Sequence, residues 1–262
     1  MYQATQAELE QYAKQGFFCR ERVLSEADLV ELREAAENVH RRILEAASRG
    51  EGGPTDMVDN QRYQSVCGST IKWEWSPELA AVRSMEPAHH LDPRFDALVD
   101  DPRMWQPAAK LVGTEALSLF SDKLNVKRPG GAPFPWHQES PYWAHGAQQL
   151  DRIVSVLIYL DEATKENGCL WVIPGSHSRG TLPSLAGQGA LGALYTDVEQ
   201  VEGEPVPTEL PAGSVVWFHR DLVHGSRSNH SQDSRRVFVI AYQPAGLDRW
   251  RIGRNRDIRA AG

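Results

Sequence analysis

ALSLFSDKLNV (116–126), RIVSVLIYL (152–160), GCLWVIP (168–174), GSVVWFH (213–219) and RVFVIAYQP (236–244) are the segments whose reading decides the fold. Each is short, rich in β-branched and aromatic residues, and bounded by Gly, Pro, Asn or Asp, as strands are. No long helical pattern separates them. Parallel strands need crossover helices, so this succession argues for an antiparallel sandwich or barrel rather than βαβ units.

Upstream the pattern changes. From Gln6 to Arg49 apolar residues recur at three- and four-residue steps, most clearly in LSEADLVELREAAENVHRRILEAA, and Ser25 with Asp28 forms a helix N-cap signature. GEGGP (50–54) ends that region. A second helical segment, DPRMWQPAAKLVG, begins near Pro102 and closes at Gly113. IKWEW (71–75) alternates as a half-exposed strand would, and residues 60–80 are an alternative lid over a pocket mouth. The expectation is a mainly β chain with N-terminal helices in a single domain, 1–262. It has a largely helical part to about 115, a β core over about 116–245 and a tail over 246–262.

With 262 residues, 41% of them hydrophobic, the chain can bury a sizeable core. The 28 basic and 35 acidic residues give a net charge of −7 without any basic, aromatic-interleaved stripe, which argues against a nucleic-acid partner. Cys19, Cys67 and Cys169 are odd in number and widely spaced, so they make neither a disulfide framework nor a CxxC metal pair. The polar opening segment lacks the n- and h-regions of a signal peptide, and no apolar stretch is long enough to span a bilayer. A cytoplasmic protein without a membrane partner is expected; oligomeric state is not legible.

The chemistry begins in WHQESPYW (136–143). Gln138 alone separates His137 from Glu139, so on an extended strand both side chains leave one face and can bind one metal ion. An isolated HxE triplet is common by chance. His224, from a distant strand, completes two histidines and one carboxylate, a set that caps one face of an octahedron and leaves positions open. Zinc sites use the same ligands, so the triad does not choose the metal. Arg235, at the start of the next apolar strand, does more: a guanidinium at the inner end of a pocket suits a bidentate carboxylate. Strand alternation lets only one of Arg235 and Arg236 face the site, and the spacing from His224 favours Arg235.

KRPGGAPFPWHQESPYW, ENGCLWVIPGSH and HGSRSNHSQDSRR, in this order, resemble the phytanoyl-CoA dioxygenase family of iron(II)/2-oxoglutarate oxygenases, as does the opening QYAKQGFFCRERVLSEADLVELR. The pattern H-x-S-x-x-N-x-S-x-x-x-R, with N-G-C-L and P-G-S-H, carries the likeness over nearly the whole chain. The resemblance implies a double-stranded β-helix, a cupin-like jelly-roll with the metal in its mouth. It implies Fe(II) on His137, Glu139 and His224, and 2-oxoglutarate gripped by Ser226 and Arg235. It further matches Asn125, Phe134 and Trp143 to cosubstrate-contacting positions. The implied reaction uses O2, decarboxylates 2-oxoglutarate to succinate and CO2, and oxidises a small-molecule C–H bond, as in natural-product biosynthesis. Hydroxylation is the main outcome; desaturation, cyclisation and epimerisation are alternatives. The family usually carries Asp where this chain has Glu139, which keeps the carboxylate, adds a methylene and argues against halogenation.

The blander readings stand beside these. His177 reads as a turn residue, and His40, His89 and His90 as surface residues. His219 falls on the wrong strand face to join His224. His145 and His230 flank the motifs and are candidates for the pocket wall. Trp136 reads as barrel packing, and Gly168 and Gly175 as turn glycines. Two other classes are a jelly-roll protein that binds small molecules without turnover and a zinc hydrolase. The hydrolase leaves Ser226 and Arg235 without a task.

Overall fold

Two helices open the chain because their caps are written locally. In the computed structural model, which describes residues 2–58, 61–76, 78–183 and 195–259, α1 (Gln6–Gln15) starts on a Thr5–Glu8 capping box and stops at Gly16, φ +85°. After β1 (Phe17–Arg20), α2 (Glu26–Ser48) starts on the expected Ser25–Asp28 box. Such caps are worth about 0.5–2 kcal/mol each. Leu29, Leu32, Ala36, Val39 and Ile43 form the buried stripe of α2. Strands β2 (Thr55–Val58), β3 (Gln61–Val66), β4 (Ser69–Trp73) and β5 (Val82–Glu86) follow. Then come α3 (Pro93–Val99) and α4 (Pro102–Val112), which closes at Gly113.

The largely helical reading of residues 1–115 therefore needs correction, since that stretch also carries five strands. IKWEW falls on β4 and the turn after it, and residues 61–66 and 69–73 are strands joined by a turn at Cys67 and Gly68 rather than a loop-like lid. The strand reading of IKWEW therefore holds over Ile71–Trp73. Residues 60 and 77 of the suggested lid, and 260–262 of the tail, lie outside the described residues.

The core strands are β6 (Leu117–Lys127), β7 (Phe134–His137), β8 (Val154–Tyr159), β9 (Leu170–Val172), β10 (Val206–Pro207), β11 (Val215–His219), β12 (His224–Ser226) and β13 (Arg235–Pro244), with the short helix α5 (Ser140–Trp143) after β7. All pair antiparallel, in the orders β1-β11-β8-β13-β6-β5-β4-β3-β2 and β10-β9-β12-β7. These facing sheets are the expected double-stranded β-helix.

Alternation along β13 sorts its two faces. Phe238, Ile240 and Tyr242 pack toward the helices with Leu32, Val39, Ile43, Phe95 and Met104. Val237 and Val239 turn to the interior between the sheets with Leu157, Leu170 and Phe218. That interior opens at one end into the site. Among the described residues no helix is long and apolar enough to cross a membrane.

Candidate metal and cosubstrate site

β7 and β12 lie side by side with His137 opposite His224, their ring centroids 4.2 Å apart. Gly225 permits the approach, since a Cβ there would stand 2.9 Å from the Phe134 carbonyl oxygen. Each imidazole is oriented by its own backbone: Nδ1 of His137 lies 2.7 Å from the Pro135 carbonyl and Nδ1 of His224 2.9 Å from that of Leu222. With Nδ1–H donating there, Nε2 is the free lone pair, the usual support for a metal-bound histidine.

Glu139 reaches the same point by another route than shared strand parity. β7 ends at His137, and Glu139 has helical φ/ψ (−77°, −32°) at the cap of α5, its N–H donating to the Arg220 carbonyl at 2.9 Å. Buried Gln138 fixes the turn between them. It donates to the carbonyls of Asp221 (2.6 Å) and Gly180 (2.9 Å) and accepts from the Leu182 N–H (2.7 Å). Oε1 of Glu139 comes to 3.8 Å from Nε2 of His224, and one ligand atom from each of the three residues lies within 4.8 Å of the others. One ion can bridge such separations after small side-chain shifts. The longer Glu side chain thus reaches the ligand position from a helical backbone.

The electrostatics suit a cation. Burial pushes His137 down to about 3, with His224 adding to the effect, and burial also lowers His224, so both rings are neutral ligands near neutral pH. Burial works to raise Glu139. Lys123, 3.6 Å away, leads the interactions that outweigh it and hold the carboxyl below its ordinary range.

Around the triad is a cavity of about 510 Å³, lined by Asn125, Phe134, Trp143, Ser226 and Arg235 as well as the three candidate ligands. Arg235 is 3% exposed, and its buried Nε has no hydrogen-bond partner among the described residues. A buried donor left open is costly, so the position is shaped for an incoming acceptor. Arg236 turns to the other face and pairs with Asp161 (2.6 Å) and Glu37 (2.9 Å). The buried Oδ1 of Asn125 is likewise unpartnered. Phe134 lies under the guanidinium of Arg83, 4.1 Å from its ring centroid. Trp143, 2% exposed, stacks edge-on against Phe120 at 5.1 Å, so it braces the cavity wall as well as lining it.

Lys127, which sequence reading missed, donates to Oγ of Ser226 at 2.7 Å and to the Arg227 carbonyl. Burial pushes its amine down to about 5, with Arg235 and Arg83 adding to the effect. Gly168 leaves it room: φ is +78°, and a Cβ would stand 3.0 Å from the lysine Nζ. A signal existed, because Lys123 and Lys127 share a face with Asn125 on an apolar strand.

Other expectations require correction. His145 and His230 are exposed and outside the cavity lining. His40 and His89 are buried rather than on the surface: His40 accepts from the Val82 N–H, and His89 pairs with Asp122 at 2.7 Å. His90 is exposed. His219, at the end of β11, stays out of the triad, and His177 sits in a short 3-10 turn after Gly175. Trp136 packs against Ile173 and Val223, outside the cavity lining.

A family model described as phytanoyl-CoA dioxygenase (PhyH) matches residues 12–237. The chain belongs to the phytanoyl-CoA dioxygenase family. It is 30% identical to mouse phytanoyl-CoA dioxygenase domain-containing protein 1 over 68% of this chain and 62% of that protein. It is also 30% identical to L-proline trans-4-hydroxylase of Streptomyces griseoviridis, over 66% of this chain and 73% of that one. Among solved folds, EctD from S. alaskensis with 2-oxoglutarate and 5-hydroxyectoine superposes with a TM-score of 0.70 at 22% identity, covering 98% of this chain and 87% of that one. Within this family the jelly-roll assignment holds along the whole described core.

Proposed function

We propose that the chain is an iron(II)- and 2-oxoglutarate-dependent dioxygenase that hydroxylates a C–H bond of a small molecule, in natural-product metabolism and in the cytoplasm. The observation that carries this reading is one cavity holding both a two-histidine, one-carboxylate set and a buried arginine with an open donor. When bound, iron couples decarboxylation of 2-oxoglutarate to succinate and CO2 with transfer of one oxygen atom of O2 to the substrate.

His137, Glu139 and His224 are the residues assigned to hold the metal, with the carbonyls of Pro135 and Leu222 aiming the imidazoles. Ser226 and Arg235 receive the distal carboxylate of the cosubstrate, and Lys127 supports Ser226 from behind. Asn125 and Phe134 flank the cosubstrate's path, and Trp143 closes the wall beside it. A bidentate carboxylate on Arg235 would satisfy the donor that the protein leaves open. A hydrolytic zinc site would have no use for that arginine.

The test is anaerobic titration of metal-free protein with iron(II) and 2-oxoglutarate, following the visible charge-transfer band of the chelate. The wild type is expected to develop the band and His137→Ala to lack it. A folded wild type without the band would overturn the oxygenase reading in favour of simple small-molecule binding.

A further inference from the structure

We propose that Arg249 is the anchor for an acidic group of the substrate, so that the compound oxidised is an anionic small molecule bearing a carboxylate or phosphonate. The assignment of that anion to the substrate rests on the oxygenase reading above.

Arg249 lines the cavity at 8% exposure, and its buried Nε has no hydrogen-bond partner among the described residues. The nearest described acid is Asp122, whose Oδ1 stands 3.8 Å from the guanidinium, beyond hydrogen-bond reach. Asp122 is already engaged: it accepts from the N–H groups of Ala88 (2.7 Å) and His89 (2.6 Å) and faces the His89 ring at 2.7 Å. Arginines away from the cavity are satisfied by carboxylates, as Arg236 is by Asp161, or by carbonyls, as Arg152 is by those of Val112 and Gly113. The Arg249 side chain lines the cavity and makes no hydrogen bond among the described residues.

The position is fixed in advance. The loop after β13 is tied by Gln243, whose amide donates to the carbonyls of Leu247 (3.1 Å) and Asp248 (3.0 Å). The Trp250 N–H donates to the Phe120 carbonyl at 2.9 Å, and the Arg249 N–H to that of Arg254 at 3.1 Å. A donor ordered before its ligand arrives loses less entropy on binding.

This subsite is distinct from the Arg235 end. Arg235 pairs with Lys127 on β6, while the Arg249 loop is tied to Phe120 on the same strand. Seven strand steps separate those points, about 23 Å along the backbone. Lys123, the β6 residue that touches Glu139, lies between them. The cavity thus joins three arginines with unpartnered buried nitrogens: Arg235, Arg83, which lies over Phe134, and Arg249, the one on the loop after β13. Lys72, whose Nζ lies 5.1 Å over the Tyr63 ring, lines the cavity too, as do the carboxylates of Asp56 and Glu86, the latter accepting from the Ser121 hydroxyl.

The experiment is calorimetric titration of Arg235→Ala protein, and of wild type saturated with 2-oxoglutarate, with two anions and their neutral counterparts. The probes are butyrate and methylphosphonate against butyramide and dimethyl methylphosphonate. At least one anion is expected to bind, both neutral compounds to fail, and the tighter anion to identify the acid type. Adding Arg249→Gln should weaken that anion by ~10-fold or more, with Arg249→Lys intermediate. Arg249→Gln alone should keep its 2-oxoglutarate affinity, read from the iron chelate band, within ~2-fold. Circular dichroism checks that each variant is folded. The proposal is overturned by equal anion binding with and without Arg249, by no binding of either anion to folded protein, or by parallel loss of 2-oxoglutarate affinity. Failure of the oxygenase reading is separate, because it removes the chelate band and leaves Arg249-dependent anion binding in place.

Discussion

The two ends of the cavity are built from different kinds of chain. At the Arg235 end each polar group sits on a strand: Lys127 on β6, Ser226 on β12 and Arg235 on β13, all held by antiparallel ladders. At the Arg249 end the β2–β5 strands are laddered too, but Arg249 itself comes from the loop after β13, which individual backbone and side-chain bonds tie down. Ladders fix a backbone on both sides, whereas a loop can be rebuilt without disturbing the sheet. The difference separates the part of the reaction that needs an unchanging partner from the part that selects the compound.

The sharpest way to break this comparison is Arg235→Ala. It should weaken 2-oxoglutarate by about 2–5 kcal/mol, the range for truncating one partner of a buried charge pair. Titration of the iron-loaded variant measures it, and a loss below about 1 kcal/mol would mean that the strand-built end is not where the cosubstrate's charge is held.

A smaller effect sharpens it. Lys127 has its folded value near 5 through burial and through Arg235 and Arg83, so its amine is neutral in the free protein at neutral pH. An arriving carboxylate raises that value, and 2-oxoglutarate binding should take up as much as ~1 proton near pH 7. Lys127→Met should abolish the uptake, read as the dependence of binding enthalpy on buffer ionisation enthalpy. Identical dependence in both proteins would remove Lys127 from the subsite. The sign for stability follows. From about pH 5 up to the unfolded value of about 10.4 the unfolded chain binds more protons at this residue, so its contribution to stability rises with pH and Lys127→Met flattens the rise.

The smallest effect is a control. His145 is exposed and away from the cavity lining, so His145→Ala should change thermal stability and 2-oxoglutarate affinity by no more than about 0.5 kcal/mol. A larger change in affinity would place the surface beyond α5 in the site.

Legibility in the sequence divides along the same line. The five segments over 116–244 found their strands because buried strands need β-branched runs between turn residues. Ser25, Pro102 and Gly113 marked helix ends because caps are local chemistry. The candidate ligands and Arg235 were readable because they fall in motifs of fixed order and spacing, although only His137 and His224 lie on adjoining strands. Of the meander over 55–86 only IKWEW was readable as a strand; β2, β3 and β5 were not, since polar residues facing the cavity, such as Gln61, Tyr63 and Ser84, break the apolar runs. Glu139 was found through a mistaken geometry: the HxE spacing suggested one extended face, whereas a strand-to-helix turn pinned by Gln138 brings the two side chains together. Arg249 lies in a loop with no periodicity, and nothing local distinguishes it from its solvent-exposed neighbours Arg251 and Arg254.

β13 begins at the arginine assigned to the cosubstrate and ends where the loop bearing Arg249 departs. It acts as a fixed ruler between two readers. Deleting one residue within 235–244 would slip the register and exchange Arg235 with Arg236, turning an open guanidinium outward and a salt-bridged one inward. Residues added or lost after Pro244 leave the ruler untouched. Insertions should therefore be tolerated on one side of Pro244 and lethal to cosubstrate use on the other, and that asymmetry gives a lineage room to change its substrate while keeping its oxidant.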